Sequence, residues 1–160
     1  MSPSDSQTPS RYARCRDRPV AQGFVARMHI DGACRGNPGP GGIGVVISSD
    51  DLVLREISEA IGRCTNNEAE YTALIRGLDA ALEMGVKRVR TFSDSQLVVR
   101  QINGGYKAKR PQMQGLVRQA SALIDRLESF ELRHTSREGN REANQLASRA
   151  LQGQKGRRTA

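Results

Sequence analysis

The stretch that decides the fold is residues 28–47, which read MHIDGACRGNPGPGGIGVVI. Alternating apolar residues lead into it and predict a strand over 24–31 that ends at Asp31. A turn rich in glycine, asparagine and proline follows, and β-branched residues predict a second strand over 43–49, antiparallel to the first. Aspartate favours turns, so Asp31 could simply begin this one. The surrounding glycines, however, would also let a ligand approach the backbone closely.

The rest of the chain predicts one mixed sheet with helices packed on it. Alternating or β-branched residues predict further strands over 52–57, 89–94 and 128–134. Apolar residues at helical spacing predict helices over 65–85, 97–102, 111–127 and 140–151, the first of which begins with a capping box between Thr65 and Glu68. This order indicates the α/β class, with a mixed five-stranded sheet of three antiparallel and then two parallel strands and helices on both faces.

Length and charge fit one domain with basic ends. The 160 residues carry a net charge of +8, but residues 23–151 hold 18 basic and 15 acidic side chains, so the ends supply most of the excess. We predict a domain over 23–151, a disordered tail over 1–22, which lacks a hydrophobic period, and a basic tail over 152–160. A basic chain suggests a polyanionic partner.

The cysteines and the hydropathy of the sequence indicate the cellular compartment in which the protein works. Three cysteines without a Cys-x-x-Cys pair, together with only two histidines, argue against a zinc site and for reduced thiols. No apolar run is long enough to cross a membrane, and the N-terminus lacks the apolar segment of a secretory signal. We expect a cytoplasmic protein that has no membrane partner and is a monomer.

Asp31 and Asp94 each close a predicted strand. If these two strands lie side by side and parallel, both carboxylates emerge at one edge of the sheet, where open α/β sheets bind ligands. Glu70, in the first turns of the following helix, can reach the same edge. Carboxylates brought together need a neutralising cation, and oxygen ligands without a cysteine or histidine cluster favour Mg²⁺ or Mn²⁺. Taken singly, Glu70 could instead favour a helix N-terminus, and Asp94 could cap the helix that begins at Ser95.

Four polar segments follow one another along the chain. They are DGACRGNPGPGG from Asp31, TNNEAE from Thr65, DSQ from Asp94 and NREANQLA from Asn140. In order and spacing they resemble type 1 ribonuclease H, in its compact archaeal-like branch, over about residues 24–151. The resemblance implies the ribonuclease H-like fold. It also implies an endonuclease that cuts the RNA strand of RNA–DNA hybrids with two Mg²⁺ ions, for which Mn²⁺ can substitute, and that leaves 5′-phosphate products.

The resemblance further implies catalytic roles for named residues. Asp31 would bridge both metals, and Glu70 and Asp94 would complete one metal site. The position that completes the other site is usually aspartate in the family, and here it is Asn144. His134 lies ten residues earlier, where many members carry a mobile histidine that assists turnover, although it could also be a plain polar residue at a strand end.

Telling RNA from DNA requires contacts to 2′-hydroxyl groups. The resemblance assigns these contacts to Gly32, Ala33, Cys34, Asn66, Asn67 and Gln96. Asn37 and Thr65 match the family's contacts to a phosphate of the DNA strand. The asparagine pair is also typical of a turn before a helix, which is compatible with a binding role.

Two alternatives to an active ribonuclease H remain open. One is a catalytically impaired module that binds hybrids, because Asn144 removes one carboxylate from the metal site. The other is a broader nuclease that also cuts double-stranded RNA, as the compact branch sometimes does. Binding without cleavage at any metal concentration would favour the first, and digestion of an RNA duplex would favour the second.

Overall fold

The computed structural model describes residues 24–104 and 111–159, with side chains described up to Gly153. Within these ranges the strands are β1 (Ala26–Cys34), β2 (Gly39–Ser49), β3 (Leu52–Cys64), β4 (Arg88–Ser93) and β5 (Ser129–His134). The helices are α1 (Asn66–Glu83), α2 (Gln96–Gly104), α3 (Pro111–Ile124) and α4 (Arg141–Thr159), and a short 3₁₀ turn, Glu138–Asn140, precedes α4. None of the helices in the described part of the chain has the length and apolar character needed to span a membrane.

The strands form one mixed sheet in the order β3-β2-β1-β4-β5. β1 pairs antiparallel with β2, which pairs antiparallel with β3, and β1 pairs parallel with β4, which pairs parallel with β5. The predicted sheet of three antiparallel and two parallel strands is therefore confirmed. The parallel ladder between β1 and β4 ends at the pair Ile30↔Ser93, so the residues that follow in both strands emerge at the same edge.

The two faces of β2 carry different kinds of residue. Ile43, Val45 and Ile47 are fully buried and belong to the main core together with the apolar residues of α1. On the opposite face α4 packs directly on the sheet. The approach is so close that a Cβ at Gly44 would collide with the carbonyl oxygen of Ala143. Helices thus cover both faces of the sheet, as predicted.

The start of α1 is fixed by its capping box, as predicted from the sequence. The Thr65 hydroxyl accepts a hydrogen bond from the Glu68 amide at 3.2 Å, and the Glu68 carboxylate accepts one from the Thr65 amide at 2.8 Å. After the helix, Gly85 adopts a φ of 82°, a left-handed conformation that glycine tolerates best.

Several predicted boundaries were wrong. β2 begins at Gly39 rather than at the predicted residue 43, and β3 continues to Cys64 rather than ending at the predicted residue 57. Both strands are longer because the glycine-rich start of β2 pairs with the end of β3, despite the low strand propensity of glycine. α4 continues to Thr159, beyond the predicted end at 151, since an existing helix adds residues more easily than a new one starts. The predicted tail over 1–22 lies outside the described residues.

Candidate active site

Three carboxylates converge at the edge where the parallel ladder of β1 and β4 ends. Asp31 follows Ile30 within β1, Asp94 directly follows β4, and Glu70 reaches over from α1. One ligand oxygen from each residue lies within 4.8 Å of the others. Contrary to the prediction, β1 does not end at Asp31, because residues up to Cys34 still pair with β2 after the pairing with β4 has stopped.

Glu70 reaches the cluster because β1 and α1 approach closely at Gly32. A Cβ at residue 32 would collide with the backbone of Ala69, so only glycine permits this approach. The Gly32 amide donates a hydrogen bond of 3.1 Å to Oε1 of Glu70. The backbone of β1 therefore holds the Glu70 carboxylate beside Asp31.

The cluster is electrostatically strained without a cation. Asp31 is only 7% exposed and Glu70 9%. Burial, with added repulsion from Asp94, raises the pKa of Asp31 to about 7, although the Arg137 guanidinium and the Gly32 amide act in the opposite direction. Burial and the negative charges of Asp31 and Asp94 likewise raise the pKa of Glu70 well above its ordinary value. The cluster would bind either protons or cations at neutral pH.

Asn144 of α4 lies in the same cavity as the carboxylates. Its Nδ2 donates a hydrogen bond of 3.2 Å to the carbonyl oxygen of Arg137, and its Oδ1 is buried without a hydrogen-bond partner. Oδ2 of Asp94 is also buried without one. The cavity, about 380 Å³, is lined by Asp31, Gly32, Ala33, Asn66, Glu70, Asp94, Ser95, Arg137, Asn144 and Ser148.

These residues fit a hard divalent cation. The donor set is three carboxylates and one amide, all oxygen, which suits Mg²⁺ or Mn²⁺ rather than a softer metal. The two unpartnered buried oxygens, on Asp94 and Asn144, are ligand atoms that a cation would satisfy. A bound cation would also counteract the raised pKa of Asp31, because it favours the ionised carboxylate.

The alternative interpretation of Asp94 as the helix cap is wrong. Ser95 has that function, since its hydroxyl accepts a hydrogen bond of 3.3 Å from the Val98 amide near the start of α2. Asp94 is left to face the cavity.

A second set of predicted residues surrounds the start of α1. Oδ1 of Asn66 accepts hydrogen bonds from the amide and the thiol of Cys34, at 3.2 and 3.1 Å, and Oδ1 of Asn37 accepts one of 3.0 Å from the Asn66 amide. Asn37, Thr65 and Asn67 line a neighbouring cavity of about 490 Å³ together with Pro38 and Met113. The β1–β2 turn and the helix start thus form one polar surface next to the carboxylates.

Three predicted residues line neither of these cavities: Gln96, His134 and Cys34, the last of which hydrogen-bonds to Asn66. Gln96, the first residue of α2, and His134, the last residue of β5, are both exposed, and neither lines the cavity of Asp31. His134 pairs with Ser93, the residue before Asp94, so it lies at the same edge of the sheet.

Sequence reasoning missed the contributions of Arg137, Asn140 and Ser148. Arg137 and Ser148 line the carboxylate cavity. Asn140 is fully buried, and its Nδ2 donates a hydrogen bond of 2.8 Å to the carbonyl oxygen of Ile30, next to Asp31. The position of Asn140 in the closing polar segment was visible in the sequence, but its contact with a strand 110 residues away was not.

A reverse transcriptase-like family model matches residues 29–150. A bifunctional protein of Mycobacterium tuberculosis is 43% identical over 126 residues, which are 78% of this chain and 35% of that protein. Ribonuclease HI of Halobacterium salinarum is 39% identical over 131 residues, 81% of this chain and 66% of its own. Ribonuclease H of Thermosynechococcus vestitus is 33% identical over 144 residues, which cover 81% of this chain and 91% of that protein. The chain spans only about a third of the length of the mycobacterial relative.

Solved structures show the same likeness. The crystal structure of RNase H1 from Halobacterium salinarum superposes with a TM-score of 0.77 at 37% identity, covering 81% of this chain and 98% of that one. LC11-RNase H1, solved in complex with an RNA/DNA hybrid, gives a TM-score of 0.75 at 38% identity, covering 80% and 97%.

Proposed function

This chain belongs to the ribonuclease H family, and from that premise we propose that it hydrolyses the RNA strand of RNA–DNA hybrids endonucleolytically, leaving 5′-phosphate products. The observation that carries the proposal is the convergence of Asp31, Glu70 and Asp94 with the Asn144 amide in one cavity. Hybrid as the substrate is supported by the complex of LC11-RNase H1, which binds one.

We propose that this cavity holds two divalent cations, Mg²⁺ or Mn²⁺. Asp31 would be the shared ligand, Glu70 and Asp94 would complete one site, and Asn144 would complete the other through Oδ1. The chemistry supplied by such a pair is activation of water on one side of the phosphodiester and stabilisation of the leaving oxygen on the other.

The chain's own groups prepare the site for this chemistry. The Gly32 amide orients the Glu70 carboxylate, and the Arg137 carbonyl oxygen accepts from Nδ2 of Asn144, which leaves Oδ1 free to act as a ligand. The Arg137 guanidinium adds positive charge beside Asp31 and favours its ionised form. His134, exposed at the same edge, assists turnover in this proposal.

Substrate recognition is assigned to the polar surface at the start of α1. Gly32, Ala33, Cys34, Asn66, Asn67 and Gln96 would contact 2′-hydroxyl groups of the RNA strand. Asn37 and Thr65 would bind a phosphate of the DNA strand in the cavity they share with Asn67. The amides of asparagine and glutamine suit this task because they both donate and accept hydrogen bonds. We propose that the domain works as a monomer in the cytoplasm, where the free thiols of Cys34 and Cys64 would stay reduced.

One specific observation favours a second candidate, a hybrid-binding module with impaired catalysis. Asn144 contributes no charge, so the site has three carboxylates where relatives usually have four. Hard cations depend strongly on ligand charge, and the cation next to Asn144 would therefore bind weakly.

A metal-titrated cleavage assay on a labelled RNA–DNA hybrid separates the two candidates. The wild-type protein should cleave the RNA strand only with Mg²⁺ or Mn²⁺, and Asp31→Asn should abolish cleavage. Asp79→Asn, the same change at an exposed position of α1 away from the cavity, is the matched control and should leave activity intact. Binding without cleavage at every metal concentration would establish the module, and a loss of only two- or three-fold in Asp31→Asn would remove Asp31 from the centre of the site.

A further inference from the structure

A second groove, of about 560 Å³, runs along the outer face of α4. It is lined by Arg137, Glu138, Arg141, Asn144, Gln145, Ser148, Arg149 and Gln152. Three of these side chains are cationic and one is anionic. The lining residues of α4 lie either adjacent or three positions apart, so they form one strip of the helix that extends about 16 Å from Arg141 to Gln152.

Some arginines of the described residues are in ion pairs, whereas Arg141 and Arg149, like Arg27, Arg35, Arg63, Arg100, Arg118 and Arg126, are not. Arg55, Arg76, Arg88, Arg90 and Arg133 are all in ion pairs with glutamates. No carboxylate of the described chain lies within ion-pair distance of Arg141 or Arg149. Arg141 is also the first residue of α4, where the helix dipole disfavours positive charge. Ion pairing therefore explains neither Arg141 nor Arg149, and stabilisation of the helix does not explain Arg141.

The groove is continuous with the carboxylate cavity. Arg137, Asn144 and Ser148 line both. The cavity of Asn37 and Thr65, which would take the DNA strand, lies at the start of α1 and shares none of its lining residues with the groove. A strand whose phosphate is cut at the carboxylates can therefore continue into the groove of α4, whereas the opposite strand is held at α1.

We propose that this groove, which we call the α4 groove, binds phosphates of the RNA strand next to the cleaved bond, through Arg141 and Arg149. The inference rests on the proposed function, because it takes the RNA strand to be the one that lies at the carboxylates. Its chemistry is that of a backbone contact: guanidinium groups bind phosphate oxygens without reading the bases.

The test compares Arg141→Gln/Arg149→Gln with Arg55→Gln/Arg76→Gln. The control removes the same charge from two arginines that line neither the α4 groove nor the carboxylate cavity. Affinity for a fluorescent hybrid is measured by anisotropy in EDTA, where no hydrolysis is expected, over a range of salt concentrations. Each phosphate contact changes affinity by about threefold between 50 and 200 mM salt. Loss of two contacts should therefore reduce the salt slope by about 2, and the ratio of wild-type to groove-variant affinity should be roughly tenfold larger at 50 mM than at 200 mM salt. The control should remain within about twofold of the wild type.

Two modified hybrids identify the strand. One carries neutral methylphosphonate linkages in the central part of a 2′-O-methyl RNA strand, and the other carries them in the DNA strand. The difference between wild type and groove variant should disappear with the first and persist with the second. Persistence with the first, or equal affinity and salt slope for the groove and control variants, would overturn the proposal.

Hydrolysis of an unmodified hybrid with Mg²⁺, measured in parallel on the wild-type protein, separates this inference from the proposed function. Absence of hydrolysis by the wild type contradicts the function whatever the groove variant does. Hydrolysis by the wild type with unchanged binding by the groove variant contradicts the inference alone. Thermal unfolding of both double variants should match the wild type within a few degrees, because the substituted side chains are exposed or partly exposed and the ion pairs of Arg55 and Arg76 at the surface contribute little to stability.

Discussion

The substitution Asn144→Asp tests how much the neutral amide limits the site. Oδ1 of Asn144 is buried without a hydrogen-bond partner beside three carboxylates whose oxygens lie within 4.8 Å of one another. A carboxylate at this position would keep the oxygen and add a charge. We expect the variant to need less Mg²⁺ for half-maximal cleavage and to be more active at low Mg²⁺.

The magnitude follows from the charges in the cavity. Two unit charges ~4 Å apart interact by ~4 kcal/mol at an effective dielectric constant of about 20, and a divalent cation doubles that figure. Desolvation of the new carboxylate and displacement of its proton offset most of the attraction. A net gain of about 1.4 to 3 kcal/mol remains, which corresponds to a roughly tenfold to hundredfold lower Mg²⁺ requirement.

The same charge should weaken the metal-free protein. Repulsion from Asp31, Glu70 and Asp94 is present whether or not a cation is bound, so it lowers the free energy of unfolding in EDTA. Addition of Mg²⁺ should therefore raise the melting temperature of Asn144→Asp more than that of the wild type. This second measurement does not depend on catalysis.

Mg²⁺ and Mn²⁺ titrations of cleavage and of melting temperature, run side by side on the two proteins, decide the matter. Gln119→Glu adds the same charge at an exposed position of α3 that lines neither the carboxylate cavity nor the groove along α4, and it is the matched control. Equal or lower activity of Asn144→Asp at every metal concentration, with an unchanged melting response to Mg²⁺, would refute the reasoning.

Three further predictions concern the carboxylates, the substrate surface and the buried amide. The pKa of Asp31 is raised to about 7 in the folded protein, so its contribution to the stability of the metal-free protein is present below pH 4 and is lost as the pH rises to 7. The free energy of unfolding should fall by up to about 4 kcal/mol over this range, and Asp31→Asn should remove much of this pH dependence in denaturant titrations. Asn67→Ala and Gln96→Ala should each weaken hybrid binding by about 1 kcal/mol without lowering the melting temperature, and the reverse pattern would make them structural turn residues. Asn140→Ala should lower the free energy of unfolding by about 1–3 kcal/mol and also weaken Mg²⁺ binding, whereas Asn103→Ala, which removes a comparable bond to the Leu132 carbonyl oxygen, should affect stability alone.

Most strands and helices could be predicted from the sequence, because the signals that mark them are local. Alternating apolar residues and the capping box of Thr65 and Glu68 act over a few positions, and the structure shows both. The glycine-rich start of β2 was not recognised as a strand, because its pairing with β3 depends on a neighbour rather than on its own propensity.

The site could be predicted only in part for a similar reason. Asp31 and Asp94 could be placed at one edge because parallel strands end together. The roles of Arg137 and Ser148 could not be anticipated, since they depend on where α4 crosses the sheet. That crossing is set by the close approach at Gly44, which the sequence alone does not reveal as a helix contact.

The hydrogen bond from Asn140 to the Ile30 carbonyl oxygen joins residues 110 positions apart. During synthesis on the ribosome, β1 emerges early, but the segment that carries Asn140 and Asn144 emerges only after the whole sheet has been made. Contacts between such distant residues form late in folding because they close a long loop. A nascent chain would therefore carry the three carboxylates before it could complete the cavity, and it would acquire nuclease activity only once α4 had been released and docked.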